Sequence, residues 1–175
     1  MQTNSTHSTG EANIKKLGEL IRDMKFAMLT TVDPDGVLRS RPMVTQKAEF
    51  DGELWFFTSS KSGKISSIRN DQHINVAYAD PDSQRYVSVS GRAELVNDRK
   101  KVHELWTPMM LAWFTNGEND PEISLIRVRV ESAEYWDSPS STLVHLIGFA
   151  KALLTGERPQ LGENERMDIA NPSIH

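Results

Sequence analysis

The feature that most constrains the fold of this chain is a series of six strand-like runs, joined mostly by short turns. The runs cover residues 26–32, 37–50, 53–59, 74–80, 86–96 and 123–136. In the last run Ile126, Val128 and Val130 alternate with charged residues, as in a strand with one buried and one solvated face. Because helices do not alternate regularly with these runs, a doubly wound parallel sheet is disfavoured. The pattern predicts a mainly β, α+β fold, namely a six-stranded antiparallel barrel with peripheral helices.

Turn and helix signals occupy the spaces between these runs. Asp51-Gly52 separates two of them, and this pair is a strong signal for a tight hairpin. We therefore expect strands 37–50 and 53–59 to pair with each other. Helices are expected at 14–24, at 62–70, at 98–106 with Asn97 or Asp98 as N-cap, and from 140 or 141 to 156.

The length and composition fit one ordinary soluble domain. We expect a flexible N-terminal tail at 1–13, the domain at 14–156 and a polar C-terminal tail at 157–175. No run approaches the ~20 apolar residues of a membrane helix, and the N-terminus lacks a hydrophobic signal core. The absence of cysteine fits a reducing compartment. A net charge of −4 indicates no basic face for nucleic acid. These observations predict a cytoplasmic protein with neither a membrane nor a nucleic-acid partner.

A cluster of hydroxyl groups and a Gly-Lys pair in FFTSSKSGKISSI, residues 56–68, is the first candidate site. It is not a nucleotide-triphosphate loop, because Thr58 stands where the upstream glycine belongs and Ile65 follows the lysine. Thr58, Ser62 and Lys64, with backbone N–H groups at a helix start, suit a phosphate dianion. A serine that caps a helix beside a solvated lysine would give the same pattern.

Two arginines in the second run strengthen the phosphate interpretation. Arg39 and Arg41 are two residues apart in a strand, so they share a face. Pairing through Asp51-Gly52 would bring Arg41 to Ser62 and Lys64, where its guanidinium can bind a phosphate in bidentate fashion. Arg39 is expected to be a solvated strand residue. Proline at position 42 indicates an edge strand or a bulge.

The chain offers no evident catalytic group of its own. The five histidines lack ligand spacing, so no metal site is predicted and haem, which needs an axial ligand, is disfavoured. No nucleophile or acid–base pair stands out, and the catalytic residues stay unknown. Any chemistry is therefore expected to come from a cofactor. Trp106 and Trp113 form either a wall around a flat ligand or a lid packed on the barrel.

Several segments together carry a resemblance to a known family. They are RSRPMV (39–44), LWFFTSSKSGKISSI (54–68), YVSVSGRAELV (86–96), ELW (104–106), WFTNG (113–117) and RVRVESAEYWD (127–137). In this order they resemble the pyridoxamine 5'-phosphate oxidase-like flavoproteins, the flavin-binding split β-barrels, and among them the bacterial general stress proteins. The resemblance covers roughly residues 14–156. It implies a six-stranded antiparallel split β-barrel and a homodimer that holds FMN non-covalently at its interface.

The same resemblance implies roles for individual residues. Those expected at the FMN phosphate are Arg41, Ser62 and Lys64. Those expected beside the flavin ring are Pro42, Met43, Val44, Phe57 and Thr58, with Trp106 or Trp113 contributing to the wall that a partner subunit completes.

The sequence also departs from the oxidase pattern. Gly63 replaces a basic residue, which leaves room for a longer cofactor such as FAD. The chain lacks the Arg- and Trp-rich C-terminal region that grips pyridoxal phosphate, so a true pyridoxamine-phosphate oxidase is not expected. The resemblance implies a flavin-dependent oxidoreductase acting on an unknown small molecule. Two alternatives stay open: a non-catalytic flavin-binding or flavin-sensing stress protein, and a split-barrel reductase that uses the deazaflavin F420.

Overall fold

The computed structural model describes residues 4–46, 48–137 and 163–169. Its strands are β1 (Phe26–Val32), β2 (Leu38–Val44), β3 (Glu53–Ser59), β4 (His73–Asp80), β5 (Arg85–Val96), β6 (Ile123–Asp137) and β7 (Glu163–Asp168). Its α-helices are α1 (Asn4–Ile21), α2 (Lys64–Asn70) and α3 (Arg99–Leu105). Two 3-10 segments, Pro108–Ala112 and Gly117–Asn119, follow α3. No helix in this described part is long and apolar enough to cross a membrane.

The strands form one open antiparallel sheet in the order β2-β1-β4-β5-β6-β3, with β7 also on β6. The predicted mainly β fold with peripheral helices is confirmed. Strands β2 and β3 lie at opposite ends of this order, yet they come close in space without sharing a ladder. The sheet therefore curls into a barrel that stays split between them.

The predicted number of strands and the two predicted tails need correction. The described sheet has seven strands rather than six. The additional strand, β7, lies in the segment 157–175 that we expected to be a tail, and α1 begins at Asn4, inside the expected tail 1–13. The predicted helix from 140 or 141 to 156 lies outside the described residues.

The predicted pairing of strands 37–50 and 53–59 is wrong. Strand β2 pairs with β1 through the turn at Asp33–Gly36, and β3 pairs with β6. A turn does form at Asp51-Gly52, where Gly52 has a φ of 105°, but Gly52 accepts a backbone hydrogen bond from Val130 of β6. The choice of partner depends on burial, because the inward residues of β3 pack against those of β6.

Two apolar clusters position the elements. The main core lies between α1 and the sheet and includes Leu17, Leu29, Phe56, Val76, Val89, Ile126 and Val128. A second cluster lies under α3 and the first 3-10 segment and includes Val102, Leu105, Met110, Phe114 and Leu125. Helix α3 begins after Asp98, whose side chain accepts from the backbone N–H groups of Lys100 and Lys101, so the predicted N-cap is confirmed. Helix α2 packs against β1 and β5, with Ile68 in the main core.

Candidate functional site

Asp33, in the turn after β1, is the centre of a polar network that joins three elements. One carboxylate oxygen accepts a hydrogen bond from the Ser67 hydroxyl of α2 at 2.6 Å and another from Arg41 Nη2 at 3.4 Å. The other oxygen accepts from Arg39 Nε. The Ser67 hydrogen bond, helped by both arginines, lowers the pKa of Asp33 below its usual value against the opposing effect of burial. Asp33 therefore stays ionised and keeps these groups together.

Arg41 is held in a defined orientation at the open edge of β2. It lies opposite Leu29 in the β1–β2 ladder, and its Nη1 donates to the hydroxyl of the buried Thr31 at 2.9 Å. These contacts use one N–H group on each terminal nitrogen, so the guanidinium keeps further donors for a ligand. A fixed guanidinium with spare donors is suited to bidentate binding of a phosphate or carboxylate.

Lys64, the first residue of α2, is partly buried and lies near Arg41. Burial, and then the positive charge of Arg41, lower the pKa of its ammonium group. Among the described residues its ammonium has neither a hydrogen-bond nor a carboxylate partner. Because a shared anion would offset both effects, Arg41 and Lys64, here called the cation pair, form a candidate anion-binding site. They meet although the hairpin expected to join them does not form: α2 packs against β1, the ladder partner of β2.

Ser62 and Thr58, both predicted to contact the ligand, have different environments in the structure. Helix α2 begins at Lys64 with Gly63 as N-cap and no side-chain cap, so Ser62 does not cap it in the predicted manner. The Ser62 hydroxyl accepts from the Lys64 backbone N–H at 3.4 Å and retains its own proton to donate. The Thr58 hydroxyl is buried and lacks a partner among the described residues. Each hydroxyl therefore retains hydrogen-bonding capacity for a ligand.

The side chains predicted to run beside a flat ring divide between two faces. In β2, Arg41 and Met43 point to one face, and Met43 enters the main core, while Pro42 and Val44 point to the other. In β3, Thr58 points inward and Phe57 packs on the second cluster with Val44. Because these residues face both sides of the strands, a planar ligand can contact all of them only if it lies along the strand edges. Strand β2 is an edge strand, as its proline predicted.

The two candidate tryptophans have different positions. Trp106 packs edge-on against Phe57, with ring centroids 6.0 Å apart and an interplanar angle of 77°. Trp113 is 57% exposed and none of its described contacts reaches the cation pair or β3. The structure thus brings Trp106 next to a predicted ring-contacting residue and leaves Trp113 on the surface.

Two cavities, of about 660 and 650 Å³, are both lined by residues of the segment that joins β2 to β3. The first extends to α1 and Tyr78, and the second to α3 and Trp106. Of the predicted site residues, Trp106 alone lines either of them. Arg41 and Lys64 line neither of these two cavities.

Sequence reasoning missed Thr31, Asp33 and Ser67, the residues that hold Arg41 in place or join the network. In the structure Asp33 also forms the β1–β2 turn, since its backbone carbonyl accepts from the N–H of Gly36. The signal that could have revealed it is the turn itself: a tight reversal after Asp33 brings residues of the returning strand back beside it. Within the described residues no group of three or more side chains that could hold a metal ion occurs.

Comparison with known proteins identifies the family. A family model described as "Pyridoxamine 5'-phosphate oxidase like" matches residues 12–160. The chain belongs to this family. A Neurospora crassa relative, Protein bli-3, is 32% identical to this pyridoxamine 5'-phosphate oxidase-like protein over 157 residues, which are 84% of this chain and 75% of the relative.

Solved structures show the same fold. A general stress protein 26 candidate from Jannaschia sp. CCS1 superposes with a TM-score of 0.71 at 24% identity, covering 90% of this chain and 97% of that chain. The general stress FMN/FAD-binding protein of Xanthomonas citri superposes with a TM-score of 0.64 at 27% identity, covering 75% and 92%. The predicted resemblance to the split-barrel family and its general stress proteins is confirmed.

Replacing Lys64 tests whether the cation pair is electrostatically unfavourable without an anion. Lys64→Met keeps the apolar stem and removes the charge, so the ligand-free protein should melt about 1–3 °C higher, a shift that less than about 1 kcal/mol produces in a chain of this size. Lys61→Met is the matched control, because Glu122 pairs with Lys61 and raises its pKa; its melting temperature should not rise. A lower melting temperature for Lys64→Met in calorimetry would contradict an uncompensated charge.

Proposed function

We propose that this protein binds FMN non-covalently, with the phosphate on the cation pair, and acts as a flavin-dependent oxidoreductase on a small molecule. The observation that carries the proposal is the ammonium of Lys64, partly buried beside Arg41 without a carboxylate partner among the described residues. The similarity to the general stress FMN/FAD-binding protein of Xanthomonas citri supports a flavin as the ligand.

The charge and donor set fit a phosphate monoester. Such a group carries about −1.5 to −2 charges near neutral pH and offers three acceptor oxygens. Arg41 supplies directional donors, Lys64 a compact charge, and Ser62 a hydroxyl. The two positive charges of the pair balance the phosphate without Arg39, which already forms an ion pair with Asp33. FAD and the deazaflavin F420 are the alternatives, and mass spectrometry of the small molecule that co-purifies distinguishes all three.

The remaining predicted residues fit the ring portion of a flavin. Among the described residues one edge of β2 and one edge of β3 have no strand partner, and the Thr58 hydroxyl is buried without a hydrogen-bond partner. Val44, Phe57 and Trp106 share one apolar cluster and provide a rigid wall behind that edge. When bound, FMN supplies the redox chemistry, since it can accept and donate hydride or single electrons. The protein's part is to orient the ring and to limit access of water.

We further propose that a second copy of the chain covers this site. One face of the sheet carries the exposed side chains of Phe26 (60%), Met28 (41%), Tyr86 (42%) and Trp136 (38%), together with the exposed Pro42. Met28 lies directly opposite Pro42, and Tyr86 opposite Trp136, so these residues share a surface that we call the outer apolar face. A contiguous apolar surface of this kind is typical of an interface. Pro42 and Val44, which we assign to the flavin ring, lie on this face of β2, so a partner here would also border the flavin ring.

The double variant Arg41→Ala/Lys64→Ala tests the phosphate site. It should fold normally but purify nearly colourless, because both charges that hold the phosphate are gone. The matched control is Lys61→Ala/Arg69→Ala, which removes the same two residue types from the loop and helix next to the site. Absorbance near the flavin bands, normalised to protein, gives the occupancy of each. Equal occupancy in the double variant and the wild type would rule out this phosphate site.

A charge in the outer apolar face tests the dimer. Met28→Asp should weaken self-association by at least about tenfold, because the carboxylate would be desolvated without a partner, and flavin occupancy should fall with it. Val37→Asp is the control, since Val37 is similarly exposed (47%) but lies in the β1–β2 turn. Sedimentation equilibrium measures both. A wild-type monomer, or a Met28→Asp dimer as tight as that of Val37→Asp, would exclude this interface.

Rapid mixing with a hydride donor tests the redox role. Under anaerobic conditions NADH or NADPH should bleach the bound flavin in a stopped-flow instrument, and oxygen or a quinone should restore its absorbance. A flavin that binds but stays oxidised with both nicotinamides, and with other small reductants, would favour the alternative of a non-catalytic flavin-binding or flavin-sensing protein.

A further inference from the structure

We propose that Asp33 is a positioning residue for the phosphate site, acting through Arg41. Its carboxylate holds the guanidinium beside Lys64 and links it to α2 through Ser67. The inference rests on the proposed FMN phosphate site and adds to it a residue that need not touch the ligand.

The geometry shows one carboxylate serving groups from separate elements. Ser67 Oγ of α2 lies 2.6 Å from Oδ1, and Arg41 Nη2 of β2 lies 3.4 Å from the same oxygen, while Arg39 Nε donates to Oδ2. The side chain of Asp33 is only 16% exposed. Its position is therefore set by packing and hydrogen bonds rather than by solvent, and a fixed acceptor of this kind can orient a long side chain.

The balance of charges explains why Arg41 needs such an acceptor. Arg41 lies close enough to Lys64 to disfavour the charged form of that ammonium group, so the two cations repel each other. An arginine side chain also has several rotatable bonds and would otherwise turn toward solvent. Thr31 supplies a hydroxyl that is uncharged. Within the described residues Asp33 is the carboxylate that hydrogen-bonds Arg41 and opposes the repulsion.

A carboxylate beside a phosphate site would ordinarily weaken binding. Here Arg39 pairs with the oxygen that does not face Ser67, and the Ser67 hydroxyl donates to the other. These contacts hold the negative charge of Asp33 within the network. Asp33 can therefore orient Arg41 while its own charge is offset.

Measurements with two ligands separate positioning from a structural role. FMN and riboflavin differ only in the phosphate, so the ratio of their dissociation constants reports on the phosphate site alone. Asp33→Asn keeps the shape of the side chain and removes its charge. We expect FMN to bind about tenfold more weakly, in keeping with the replacement of a charged hydrogen-bond acceptor by a neutral one, while riboflavin affinity stays within about twofold.

The matched control is Asp35→Asn in the same turn. Asp35 is exposed and accepts from the backbone N–H of Val37, so its replacement should leave both affinities unchanged. Asp33→Glu, which restores the charge, should recover part of the FMN affinity. In an Arg41→Ala background Asp33→Asn should cause no further loss, because the residue that it positions is absent. Fluorescence titration of each flavin with apoprotein gives all of these values.

The outcomes separate the two levels of the proposal. Wild-type protein that binds FMN no more tightly than riboflavin would refute the phosphate site itself. A phosphate-dependent wild type with Asp33→Asn equal to Asp35→Asn, or equal losses for FMN and riboflavin, would refute the role of Asp33 alone. So would full additivity of Asp33→Asn with Arg41→Ala. If Asp33→Asn does not fold, Asp33→Ser takes its place with the same expectations.

Discussion

The pairing of β3 with β6, instead of with its sequence neighbour β2, is the constraint on which the rest of this structure depends. It places Phe56 opposite Ile126, and Leu54 opposite Val128, inside the main core. The buried side chains of these residues favour this ladder over a local hairpin, since apolar burial stabilises by about 1.5–3 kcal/mol per large side chain. The same choice leaves one edge of β2 and one edge of β3 unpaired and near each other. The candidate site lies at that opening.

The charge at this opening comes from side chains of three elements. The β1–β2 turn, the returning strand β2 and helix α2 contribute Asp33, Arg41 and Lys64 respectively. One anionic and two cationic side chains leave a net positive charge, with Arg39 held against the carboxylate at the exposed side. A mobile anion is the natural complement of this arrangement, and a phosphate fits the directionality of the guanidinium.

Local signals in the sequence were sufficient for the elements themselves. Alternation identified β6, and Asn97 or Asp98 marked the start of α3. These local signals did not predict which strands pair, because Asp51-Gly52 specifies a turn but not the strand edge that the next strand joins. Strand β7 shows the same limit: four of its six residues are charged, and it forms because the second half of the long β6 offers a free edge. We predicted from a hairpin at Asp51-Gly52 that Lys64 would lie near Arg41. In the structure helix α2, rather than that hairpin, brings Lys64 to Arg41.

The unpaired edges of β2 and β3 also bear on how the protein avoids self-adhesion. An exposed strand edge is a template on which another chain can add its own strand and begin an aggregate. Here Pro42 interrupts the row of donors on β2, and Arg39 and Arg41 place charge along the same strand. The two strands also come close to each other without sharing a ladder. The opening between β2 and β3 is thus also where these features hinder edge-to-edge aggregation. A bound ligand would hinder it further.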